Sequence, residues 1–218
     1  MAPITEKTGI PSLPSPGGYE QAYAVSHDLA FEKLRQADLA DVCRRSGAEP
    51  AGADVVRLRF LNRDYLIDRL RGEVSPPPGS EPAPIADRLI ILHYLVTATG
   101  APPRGELVAF KDLPEGHMYY PTFYKRSVKL LLKKFGASPA KFVEAAVGIG
   151  GVKAQMGDDA VTVQALPKVA VTWILWRGDD EFPAEGSVLF DRGIADYLPT
   201  EDIAVLCQNI ALKMCFSV

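Results

Sequence analysis

His27, His93 and His117 are the only three imidazoles among the 218 residues, and no two of them stand in a His-x-x-x-His or His-Glu-x-x-His spacing. That pattern argues against a hydrolytic zinc site built from histidines. A single histidine suffices as the axial ligand of a haem or corrinoid metal. His93 lies in Leu89-Ile-Ile-Leu-His-Tyr-Leu-Val96, an apolar run that can line a flat macrocycle, with Tyr94 beside it. His117 lies in Glu115-Gly-His-Met-Tyr-Tyr-Pro-Thr-Phe-Tyr124, where Tyr119 and Tyr120 add the amphipathic rings that planar ligands use. Core packing accounts for the same residues: a buried histidine bonded to backbone, and rings filling space beneath a loop.

A second candidate is Trp176-Arg-Gly-Asp-Asp-Glu-Phe-Pro-Ala-Glu-Gly-Ser-Val-Leu-Phe-Asp191, which holds five carboxylates and two glycines. Asp179, Asp180, Glu181 and Asp191 have the composition of an oxygen-rich metal site, or of a carboxylate pair dividing acid and base roles. They lack the alternating Asp-x-Asp-x-Asp-Gly spacing of an ion-binding loop. A solvated turn between two strands explains them equally, with Trp176 where a strand meets the loop. Third, Lys125, Lys129 and Lys133 recur every four residues with Arg126 and Lys134 beside them. That is either a solvated helix face or a surface for phosphates, a cofactor carboxylate or an acidic partner protein. Gly148-Ile-Gly-Gly151 is neither a dinucleotide fingerprint nor a Walker loop, and no Gly-x-Ser-x-Gly elbow is present.

Bulk composition narrows the classes. Formal charge is −3 with 23% charged residues, which disfavours a general nucleic-acid binder. Cys43, Cys207 and Cys215 form no Cys-x-x-Cys pair, so neither a disulfide framework nor a cluster-ligand set is indicated, and a reducing cytoplasmic compartment is expected. No apolar run approaches the ~20 residues that span a bilayer. The opening eighteen residues, with four prolines and no apolar core, predict a flexible leader rather than a signal peptide.

The elements that must position these residues follow from periodicity. Helices are expected from Tyr19, after Asp38 as cap with Gly47 as stop, over Ile85–Thr99, from Pro121 to Phe135, from Pro139 to Val147, and after Thr200 as cap. The helix at 85–99 is apolar nearly all round, which marks it as central and buried. Strands are expected at 56–60, 65–68 after an Asn62–Asp64 bend, 106–110, 161–166, 169–176 and 187–191, with a Pro/Gly loop over 69–84. Gly148–Gly151 marks a candidate subdomain seam. The mixed order predicts a single α+β domain over 19–218, with an antiparallel or mixed sheet packed by helices.

Several of these stretches together resemble an uncharacterised domain family. They are Leu92-His93-Tyr94-Leu95 with Thr97-Ala98, Tyr119-Tyr120-Pro121, Trp176 to Phe182 with Leu189-Phe-Asp191, and Asp196-Tyr197-Leu198-Pro199-Thr200-Glu201-Asp202. Tyr19-Glu-Gln-Ala-Tyr23 and Arg45-Ser-Gly-Ala48 fit as well, so the resemblance runs from about residue 19 to 214. Its members come mostly from anaerobic bacteria and archaea, and some carry a ferredoxin-like iron–sulfur domain, whose cluster-binding cysteine run does not occur in this sequence. The resemblance implies an anaerobic, cytoplasmic setting and a cofactor or redox context. The resulting expectation is an intracellular cofactor-binding protein of anaerobic metabolism. Its ligand would be a planar tetrapyrrole, haem or corrinoid, held near His93, Tyr94, His117, Tyr119, Tyr120 and Trp176. The partner would be that cofactor, or a redox or corrinoid protein, with neither nucleic acid nor membrane involved. A metal-assisted hydrolase using Asp179, Asp180, Glu181 and Asp191, or a protein–protein adaptor using the basic helix, is the alternative.

Overall fold

The computed structural model describes residues 16–217, and side chains from residue 24 onward. The expected leader therefore lies outside the described residues over 1–15, while residues 16–18 already belong to a helix. The helices are α1 (Pro16–Gln36), α2 (Leu39–Ser46), α3 (Ile85–Thr97), α4 (Gly116–Arg126), α5 (Val128–Phe135), α6 (Pro139–Gly148) and α7 (Thr200–Phe216). The strands are β1 (Glu49–Pro50), β2 (Val55–Phe60), β3 (Arg63–Asp68), β4 (Glu73–Ser75), β5 (Leu107–Ala109), β6 (Gly151–Ala154), β7 (Asp159–Leu166), β8 (Val169–Trp176) and β9 (Glu185–Asp191). This is the expected α+β class, with two antiparallel sheets rather than one: β1-β2-β3-β4, and β5-β9-β8-β7-β6.

Local chemistry explains most boundaries. The Asp38 carboxylate accepts the Ala40 N–H at 3.0 Å and opens α2. Gly47 closes it at φ 73°, its N–H reaching the Cys43 carbonyl at 2.8 Å. The β2–β3 hairpin turns at Leu61 and Asn62, both at positive φ, one residue earlier than the expected Asn62–Asp64 bend. Paired positive φ values are what a two-residue hairpin needs. Leucine tolerates this conformation because its side chain is buried and its N–H donates to the Ala165 carbonyl at 3.0 Å, joining the two sheets.

Three expectations change. The helix expected from Pro121 is two helices. Gly116 opens α4 upstream because a Cβ there would lie 1.9 Å from the Phe110 carbonyl oxygen, so only glycine fits, and Pro121 falls inside the helix. The chain then breaks at Ser127 (φ −124°, ψ −80°), whose hydroxyl donates to the Phe123 carbonyl at 2.6 Å. The 69–84 loop contains β4, which pairs with β3. The glycine stretch 148–151 is a tight turn into β6, an edge strand of the larger sheet, rather than a seam.

Helix α3 is central, as its composition predicts. Ile90, Ile91, Leu92 and Leu95 are sealed from solvent, each burial contributing about 1.5–3 kcal/mol. Its first turn carries Asp87, itself buried, which pairs with Lys213 Nζ on α7 at 3.0 Å and accepts from Asn209 Nδ2 at 2.8 Å. One narrow edge of α3 stays open, and it carries His93.

Candidate functional site

Ala86, Ile90 and His93 lie on successive turns of one edge of α3. Facing that edge, the first turn of α7 presents Glu201 and Asp202, with Val205 one turn on. Helix α4 adds Tyr119 and Arg126, two turns apart, and α1 adds Ser26; together with Leu89 these residues enclose a cleft of about 370 Å³. Within it His93 Nδ1 meets Asp202 Oδ2 at 2.7 Å, with side chains 27% and 15% exposed. A carboxylate in the first turn of α7 is favoured by the unpaired N–H groups and dipole of the helix start.

The surrounding bonds fix this pair. Thr97 Oγ1 donates to the His93 carbonyl at 2.7 Å and lies 2.5 Å from the Tyr197 carbonyl, tying the end of α3 to the segment before α7. Thr200, expected as the α7 cap, is its first residue instead; its hydroxyl donates to the Pro114 carbonyl at 2.8 Å, tying α7 to the loop before α4. Three helices are thus clamped around one imidazole.

The pairing defines that imidazole chemically. A neutral imidazole that gives its Nδ1–H to a carboxylate at this position keeps the Nε2 lone pair, the arrangement that orients metal-ligating and proton-accepting histidines. Among the described residues no side chain or backbone group hydrogen-bonds to Nε2. A second cavity of about 230 Å³ adjoins the first. It shares Ser26 and His93 and is otherwise lined by Leu29, Ala30, Lys33, Val96, Thr97 and Pro199.

The other expected site residues divide. Tyr119 joins His93 in the cleft. Tyr94 does not: it is fully buried, its hydroxyl donating to the Ser46 carbonyl at 2.5 Å and accepting from the Lys168 N–H at 3.1 Å. Burial pushes that phenol well above its ordinary pKa, and its work is to weld α2, α3 and the β7–β8 turn. Tyr120 stacks toward the core beside Phe123 and Tyr124. His117 and Met118 face solvent, Met118 at 89% exposure. Trp176 ends β8 outside the cleft, half-exposed against Gly157.

The acidic segment is a hairpin connection. Asp179 Oδ1 accepts the Glu181 and Phe182 N–H groups at 2.9 and 2.7 Å, and these bonds hold its carboxyl below the usual range. Gly178 is required, since a Cβ there would stand 2.6 Å from the Ala184 nitrogen. Asp180 and Glu181 are exposed. Asp191 lies six residues along β9 from Glu185, a run of about 20 Å. It accepts the Arg104 and Gly105 N–H groups at 3.0 and 2.7 Å and the Gly193 N–H at 2.7 Å. Burial opposes its charge, and those three donors outweigh burial, keeping its carboxyl below the ordinary value. Among the described residues no three His, Cys, Asp or Glu side chains gather as a metal site. The thiols are raised in pKa by burial at Cys43, Cys207 and Cys215, the opposite of a poised nucleophile.

Asp202, Glu201 and Ser26 are polar cleft residues that no chemical motif singled out, and Arg126 was singled out only as part of the basic helix. Asp202 lies 109 residues from His93 in sequence, and its sequence signals were its place among the first-turn acids after Thr200 and at the end of the Asp196–Asp202 stretch of the family resemblance.

No described helix is long and apolar enough to cross a membrane. No curated protein matches the chain, and no solved structure does. A family model described as "Domain of unknown function (DUF3786)" matches residues 38–213, a span that takes in His93, Tyr119, Arg126 and Asp202 but not Ser26 and Lys33 of α1. The chain therefore belongs to the DUF3786 family.

Proposed function

We propose that this chain is an intracellular binding domain for a planar, metal-bearing tetrapyrrole, a haem or a corrinoid, seated at the α3–α4–α7 cleft with His93 Nε2 as the metal's axial ligand. The observation that carries the reading is the 2.7 Å His93–Asp202 pair at the mouth of a cavity. Asp202 sets the tautomer and makes Nε2 the more basic nitrogen. The donor chemistry fits the group in two further respects. Ala86, Leu89, Ile90 and Val205 offer an apolar floor, and Tyr119 offers a ring at the rim. A cleft of this size is at the small end of ligand pockets, so the macrocycle would be held by one face or edge rather than enclosed. When bound, such a group supplies redox or ligand-exchange chemistry at its metal. The chain's own part is to present one oriented nitrogen and an apolar wall. An anaerobic, cytoplasmic setting belongs to the same proposal and comes from the family resemblance. A metal-assisted hydrolase at 179–191 has less support, because Asp179 Oδ1 and both Asp191 oxygens already accept from separate sets of backbone amides.

The test is titration of the purified protein with ferric haem and with hydroxocobalamin, followed by absorbance. A shifted Soret or corrin band that is lost in His93→Ala is expected. Unchanged spectra at tens of micromolar of both ligands would end the proposal.

A further inference from the structure

The two cavities that share His93 each hold one cation. Arg126 lines the larger, and its nearest polar partner is the Tyr119 hydroxyl at 3.4 Å, a weak contact. Lys33 lines the smaller. Among the described residues neither cation forms an ion pair with a carboxylate; for Arg126 this is a departure, since most arginines here do, for example Arg45 with Asp41 and Arg69 with Asp54. Glu201 lines the larger cavity too, without pairing to Arg126. Two cations with no carboxylate partner among the described residues therefore line the two cavities that share His93, on separate helices.

That arrangement says something about the periphery of the ligand as well as its centre. A guanidinium with free donors is suited to a carboxylate, and an ammonium to the same group as a point charge. Porphyrin-type rings carry ionised carboxylate side chains, whereas the side chains of cobalamin's corrin ring are mostly neutral amides. Resting on the tetrapyrrole reading above, we infer that the cleft selects a carboxylate-bearing porphyrin-type ring over an amidated corrin, with Arg126 and Lys33 receiving the carboxylates.

The experiment compares iron protoporphyrin as the free acid with its dimethyl ester, in one detergent, and with hydroxocobalamin, each titrated by absorbance. The ester keeps ring and metal and removes only the charges. The free acid is expected to bind about tenfold more tightly than the ester, the factor one charge-assisted contact typically gives. Arg126→Gln with Lys33→Gln should erase that preference, and His93→Ala should weaken both iron porphyrins alike. Circular dichroism confirms that the exposed-site variants remain folded. Equal binding of free acid and ester, or tighter binding of hydroxocobalamin than of the free acid, would overturn the carboxylate assignment while leaving the axial-ligand reading standing. Binding of none of the three would remove that reading and this inference with it.

Discussion

At the scale of single residues, two aspartates do opposite kinds of work. Asp202 meets one side chain in a cavity wall, whereas Asp191 is consumed by three backbone N–H groups. Asp202→Asn keeps the shape of the group but removes the charge that fixes the His93 tautomer, so metal-porphyrin affinity should fall about ten- to a hundredfold in an absorbance titration, with little change in melting temperature. Asp191→Asn should behave the other way. An amide nitrogen facing a backbone N–H leaves a donor unpaired, costing about 1–2 kcal/mol in denaturant unfolding at neutral pH. Because its folded pKa is depressed, the aspartate's contribution is present above the unfolded value of about 4 and is lost as pH falls through the folded value. The gap between wild type and Asp191→Asn should therefore narrow in acid and be constant from pH ~6 upward.

At the scale of elements, α3 and α7 form the frame on which the cleft is built, and the pair between buried Asp87 and half-buried Lys213 is the polar joint between them. Lys213→Ala strands a buried carboxylate and should cost about 3 kcal/mol, lowering the thermal midpoint by several degrees in a chain of this length. If the midpoint is unchanged, the joint is not structural. The elements were legible in sequence where one local rule dominates: Asp38 and Gly47 bracket α2, and the all-apolar run fixes α3 as central. They were illegible where a distant neighbour decides. Gly116 begins α4 because Phe110 stands against it, and Leu61 takes a left-handed turn because Ala165 receives its N–H. The site followed the same division. His93 and Tyr119 could be singled out from residue type, but the partner that gives His93 its chemistry comes from a helix more than a hundred residues away. Tyr94 and Tyr120 carry the same residue type as Tyr119 and face the core.

At the scale of the molecule, two antiparallel sheets and a set of helices share one contiguous apolar core, and the cleft opens where α1, α3, α4 and α7 meet. Many residues of the family resemblance, among them Arg45, Ser46, Tyr94, Thr97, Asp191 and Tyr197, hold elements together rather than touch a ligand. His93 and Asp202 are the pair that does not fit that description, since a 2.7 Å bond to a carboxylate is spent on an imidazole whose other nitrogen has no hydrogen-bond partner among the described residues. The most direct measurement is therefore a ferric-haem absorbance titration of His93→Gly with and without free imidazole, beside wild type, each protein first shown to be folded by circular dichroism. The account predicts that the variant loses the imidazole-ligated spectrum and regains it when imidazole fills the space left by the side chain. A variant whose spectrum and affinity match wild type without added imidazole would contradict it.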